Sequence, residues 1–101
     1  MRQEEKRHLV LFLMDVPKIQ LIHLLNILTK EQLQIIIEIV YNIVQGVCPI
    51  SYSNKSILTR HKNLIRRLVS KKTTLKQRRK LLIKLRNILP IFFKSYISYV
   101  T

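Results

Sequence analysis

Residues 29–46 read TKEQLQIIIEIVYNIVQG, and their spacing is that of a helix with both ends marked. Thr29 and Gln32 form a T-x-x-Q capping box, in which each side chain satisfies an amide at the start of a helix. Leu33, Ile36, Ile37, Val40 and Val44 then recur at the interval of one helical face. Ile35, Ile39 and Ile43 widen that stripe until most of the circumference is apolar. A helix over 30–45 is therefore predicted to lie at the centre of a bundle or at an interface between copies. Gly46 supplies the left-handed residue that ends it, and Pro49 prevents continuation.

The flanking segments extend the helical pattern in both directions. Glu4 and Glu5 precede Lys6 and Arg7, the polarity that suits a helix macrodipole, and predict a first helix over 2–14. Asp15 is placed to cap a second, with Pro17 in its first turn and Ile19, Ile22, Leu25, Ile27 and Leu28 at helical spacing. Ser51 or Ser53 opens a fourth to residue 69, with Ile57, Leu58, His61, Leu64, Ile65 and Leu68 on its apolar side. Residues 70–73 break the pattern. Thr74 and Gln77 make a second T-x-x-Q box, opening a fifth helix to residue 89 that Pro90 stops or kinks. The tail from Ile91 fits a helical turn or a short strand, with helix the preferred reading.

A length of 101 residues bounds this to one small domain. Hydrophobic residues make up 48 %, too many for a disordered basic tail. One Gly and three Pro form a turn-poor composition that favours long helices. The expected fold is all-α: a compact bundle of four to five helices in a single domain over 1–101, the last two strongly basic. Within it, 1–50 is a neutral core-forming half, 51–89 a basic helical pair and 90–101 an apolar, aromatic tail.

Charge separates the two halves. Residues 1–50 hold five basic and five acidic side chains, whereas 51–101 hold fourteen basic and no acidic ones, which accounts for the whole formal charge of +14. Thirteen of the fourteen lie in 54–86: Lys55, Arg60, Lys62, Arg66, Arg67, Lys71, Lys72, Lys76, Arg78, Arg79, Lys80, Lys84 and Arg86. Solvated charged faces normally mix signs, and a one-sign field in a compact domain repels itself unless a polyanion screens it. These residues are the candidate nucleic-acid contacts, and the expected partner is double-stranded DNA or RNA. Duplex DNA carries one charge per ~1.7 Å, so binding of this kind is largely blind to sequence and steeply salt-dependent.

Two other readings use the same residues. The two basic helices joined by 70–73 allow a sequence-specific helix-turn-helix, although few Asn, Gln or Ser lie on the exposed face to read base edges. Residues 81–100 mix Lys and Arg with Ile, Leu, Phe and Tyr, as an interfacial helix on an anionic membrane surface does. The apolar excess of 30–45 suggests a homo-oligomer, which would multiply the charge presented along one duplex.

Catalysis finds little support. The carboxylates are scattered through the first half, and His8, His23 and His61 have no metal-like spacing with one another or with Cys48. One isolated Gly cannot build a phosphate-cradling loop, and no Ser or Cys sits in a nucleophile-elbow pattern. No enzyme and no cofactor is expected. A lone cysteine fits a reducing compartment, and Cys48 reads as a small buried hydrophobe. No apolar run reaches the ~18 residues of a spanning helix.

Three blocks carry a family likeness: VYNIVQGVCPIS at 40–51, LTRHKNLIRRL at 58–68 and KKTTLKQRRKLL at 71–82. Together they resemble a small basic core-type protein of adintoviruses and polinton-like elements, distantly similar to the adenovirus core protein mu precursor. In that family the basic block runs into a Gly-Gly-Phe-Leu-Pro segment; here Leu89-Pro90 keeps Leu-Pro and both glycines are missing. The resemblance implies a DNA-binding viral protein of the virion core that condenses double-stranded DNA, located in the host nucleus during infection or expression.

Overall fold

The computed structural model describes residues 3–100. The expected helix start at Arg2 and the last residue of the tail, Thr101, lie outside the described residues. Seven helices follow in order: α1 Gln3–Asp15, α2 Lys18–Ile27, α3 Lys30–Val44, α4 Tyr52–Thr59, α5 Lys62–Val69, α6 Leu75–Lys84 and α7 Leu89–Val100. Among the described residues the all-helical class is as expected, and the count of four to five is corrected to seven.

α3 is the axis of the bundle. Its capping box closes as its sequence predicts: Gln32 N donates to Thr29 Oγ1 at 3.2 Å, and Thr29 N to Gln32 Oε1 at 2.9 Å. At the other end Gly46 has φ +81°. Gly46 N donates to Ile43 O and Val47 N to Asn42 O, the paired bonds of a Schellman motif. Leu33, Ile35, Ile36, Ile37, Ile39, Val40 and Ile43 are buried, leaving Glu31, Gln34, Glu38 and Tyr41 as a narrow outer stripe. Each such burial contributes about 2 kcal/mol, more than a cap supplies, so packing rather than local propensity fixes this helix. Neighbours on three sides, α1, α5 and α7, consume the apolar excess of 30–45 within one chain. That excess is therefore no longer an argument for self-association through α3.

Three boundaries differ from expectation. Asp15 does not cap α2: it ends α1, and Pro17 occupies the N-cap with no side-chain cap bond. Proline disfavours helical backbone at the residue before it, here Val16, so the chain re-enters the helix only at Lys18.

The helix expected over 51–69 is two. It starts at Ser51, whose Oγ accepts from Asn54 N, and bends at Arg60-His61 through three-residue backbone bonds, Arg60 N to Ile57 O and His61 N to Leu58 O. Thr59 Oγ1 donates back to Lys55 O at 2.8 Å, a bond that competes with the helix and bends it.

The helix expected over 74–89 stops at Lys84, and 85–88 form a turn held by Arg86 N to Ile83 O and Ile88 N to Leu85 O. An uninterrupted helix would drive the Pro90 ring into the carbonyl of Arg86, so the break falls one turn upstream of the proline. Pro90 itself lies in the first turn of α7, where no amide donor is needed. The tail is helical, and its Leu89, Phe92, Phe93 and Tyr96 are buried in the core.

Cys48 is buried at 3 % exposure, and its Sγ donates to Ser95 O at 3.2 Å, tying the α3–α4 connection to α7. Burial pushes its thiol above the usual 9.0.

Candidate nucleic-acid interface

The connection between α5 and α6 shows how the cationic segments are held. Ser70 leaves the helical region, and its backbone N donates to Arg67 O. Thr73 Oγ1 donates to the same carbonyl, and Lys72 N donates to Ser70 Oγ at 3.3 Å. Thr74 then repeats the capping box of α3, with Gln77 N donating to Thr74 Oγ1 and Thr74 N to Gln77 Oε1. α5 and α6 pack on each other, α5 on α3 and α6 on α2. Ile65, Leu68, Leu81 and Leu82 provide the buried side of that arrangement.

The thirteen candidate cations divide into two kinds. Lys55, Arg60, Lys62, Arg66, Arg67, Lys71, Lys72, Lys76, Lys80 and Lys84 are exposed. Among the described residues none of these ten pairs with a carboxylate; the ion pair present is Lys6 with Glu38 at 3.0 Å, in the first half.

Arg78, Arg79 and Arg86 are half-buried and spend donors on backbone carbonyls. Arg78 Nη2 reaches Ser70 O at 2.7 Å, and Arg86 Nη1 reaches Ile83 O at 2.9 Å. Arg79 Nη1 and Nη2 reach Leu25 O and Leu28 O at 2.7 and 3.0 Å, closing the C-terminal end of α2. That end has no basic residue in its last turn, and Thr29 rather than a glycine follows its cap, so the guanidinium supplies the missing donors. These three arginines therefore spend part of their donor capacity on the fold, unlike the ten exposed cations.

The exposed ten form recognisable groups. Lys76, Lys80 and Lys84 recur at four-residue steps along α6 and make one line of charge. Lys55, Lys62 and Arg66 surround a groove whose apolar lining includes Ile43, Val44, Ile50, Leu58 and Ile65. Lys55 and Arg60 also share a shallow depression with Tyr52, which is 89 % exposed. Sequence reasoning missed Tyr52; its signal was an aromatic immediately after the capping Ser51, on the polar side of a short helix. Base-reading groups are scarce on α6, where Gln77 is occupied by its capping box.

No membrane-spanning candidate exists among the described helices, none being long and apolar enough to cross. Among the described residues no cluster of three or more His, Cys, Asp or Glu could hold a metal ion. No family model, curated protein or solved structure matches this chain.

Proposed function

We propose that this protein is a non-catalytic nucleic-acid-binding protein that neutralises and condenses duplex DNA with little regard to sequence. The observation that carries this reading is the set of ten exposed cations on α4 to α6 and their connections, with no carboxylate partner among the described residues. Lysine ammoniums on helix surfaces contact phosphate as point charges, and phosphate contacts position without specifying sequence. Tyr52 beside Lys55 and Arg60 adds one stacking surface for an unpaired base. The setting we propose for this chemistry, following the sequence resemblance, is the core of a viral or mobile-element particle assembled in the nucleus.

The membrane reading is less well supported. The apolar residues of 81–100 that would enter lipid, among them Leu82, Leu89, Phe92 and Phe93, are the centre of the folded core. The helix-turn-helix reading is weakened by the near absence of free amide side chains on α6.

Titration of unrelated duplexes across a salt series tests the proposal. Affinities should agree between sequences, and log K should fall with log salt at about −0.9 per phosphate engaged, giving a slope near −5 if roughly six of the cations bind. A preference of a hundredfold for one sequence, or a flat salt dependence, would overturn it.

A further inference from the structure

The groove ringed by Lys55, Lys62 and Arg66 is unlike the rest of the basic surface, because its floor is apolar and Val44 on its wall is 46 % exposed. Phosphate has no use for such a floor. An occupant that uses both properties carries anionic groups beside hydrophobic ones.

The same chain displays that chemistry on the outer face of α1. At ~100° per residue, Glu4, Glu5, His8, Leu11, Phe12 and Asp15 fall within a sector of about 120°. Phe12 is 54 % and Leu11 39 % exposed, and all three carboxylates are exposed with no cationic partner among the described residues. The opposite side of α1 holds Val10 and Leu13, buried, and Lys6, paired to Glu38.

We propose that the outer face of α1 docks into the Lys55/Lys62/Arg66 groove of a second copy of this chain. Three carboxylates meet three cations, and Leu11 and Phe12 cover the apolar floor. The two surfaces are different patches of the molecule, one on α1 and the other between the end of α3, α4 and α5. The contact pairs unlike patches, so it closes as a two-fold dimer where both face–groove contacts form at once and otherwise repeats into a ring or an open row of copies. The formal charge of +14 opposes the approach of two copies at long range. At physiological ionic strength that repulsion is screened beyond about 8 Å, whereas contacts inside the groove lie within that distance. This inference stands apart from nucleic-acid binding and predicts association of the protein alone.

The test is sedimentation of nuclease-treated full-length protein at about 150 mM salt, where screening favours the contact. The mass of the wild type should rise with concentration from the monomer to a dimer, a closed ring or a longer row. Glu5→Lys with Asp15→Lys, and separately Lys62→Glu with Arg66→Glu, should each give a monomer of unchanged helical content. Mixing the two variants should restore association, because the unaltered α1 face of one meets the unaltered groove of the other, and the charge-reversed face and groove are complementary as well. Association of either variant alone to the wild-type extent overturns the proposal, as does a mixture that stays monomeric. A wild type that remains monomeric at submillimolar concentration also overturns it; loss of vesicle or short-duplex binding in Lys62→Glu/Arg66→Glu would then assign the groove to lipid or to nucleic acid.

Discussion

Along α6 the arginines turn inward and the lysines outward. Arg78 and Arg79 donate to carbonyls of Ser70, Leu25 and Leu28, whereas Lys76, Lys80 and Lys84 stand exposed with no carboxylate partner among the described residues. The two residue types carry the same charge but differ in geometry. A guanidinium is planar, weakly hydrated and offers several donors in a fixed fork, so it bridges two carbonyls of one helix end at modest desolvation cost. An ammonium is compact and strongly hydrated, so it loses more on leaving water and stays on the surface unless a charged partner meets it. Ten candidate cations are thus available to a partner, while three are partly committed to holding the helices that present them.

Removing an inward cation should have the largest effect on the fold. Arg79→Ala leaves Leu25 O and Leu28 O at the end of α2 without their donors and detaches α6 from that end. Because hydrogen bonds to a charged group contribute more than neutral ones, the expected loss is about 2–3 kcal/mol in urea unfolding, with Arg79→Lys restoring only part of it. The salt slope of DNA binding by the folded fraction should barely move. Unchanged stability with a reduced slope would place Arg79 on phosphate and erase the distinction.

Most local signals in the sequence carried over to the structure, Asp15 as a cap excepted, whereas contacts between distant segments were not legible. Thr29/Gln32, Thr74/Gln77 and Gly46 act over a few residues, so their caps could be inferred without knowing the fold. The inward turn of Arg79 depends on carbonyls 54 and 51 positions away, and nothing in its neighbourhood distinguishes it from Lys80. The bend at Arg60-His61 was hidden because Ile57, Leu58, His61, Leu64, Ile65 and Leu68 keep a helical rhythm across it. Pro90 was noticed, but its clash acts one turn upstream, so the break appeared five residues earlier than the proline. The charge split between halves was legible by counting; which cations are free required the packing of α2 against α6.

A cap change separates stability from charge at intermediate size. Thr74→Ala removes the acceptor for Gln77 N and frees the first turn of α6, at a cost of about 1 kcal/mol. No cation is lost, so the number of phosphates engaged, and with it the salt slope, should stay as in the wild type. A slope that falls with this substitution would mean that the line of lysines needs a rigid helix start to be held in register.

The outward lysines should have the smallest effect on folding. Lys76, Lys80 and Lys84 repel one another at four-residue steps, and like pairs of this kind destabilise a helix by about 0.2–0.5 kcal/mol each. Replacing all three with Gln removes two such pairs and no buried contact. Stability should therefore stay level or rise by a few tenths of a kcal/mol in urea unfolding. The same change takes three charges from the exposed line, so on the proposed function the log–log salt slope should become shallower by about 2–3. A less stable protein with an unaltered slope would reverse the assignment, making the lysines structural and leaving phosphate to the Lys55, Arg60, Lys62 and Arg66 group. A shallower slope in a protein at least as stable is the one outcome that requires these charges to be turned toward a partner rather than toward the fold.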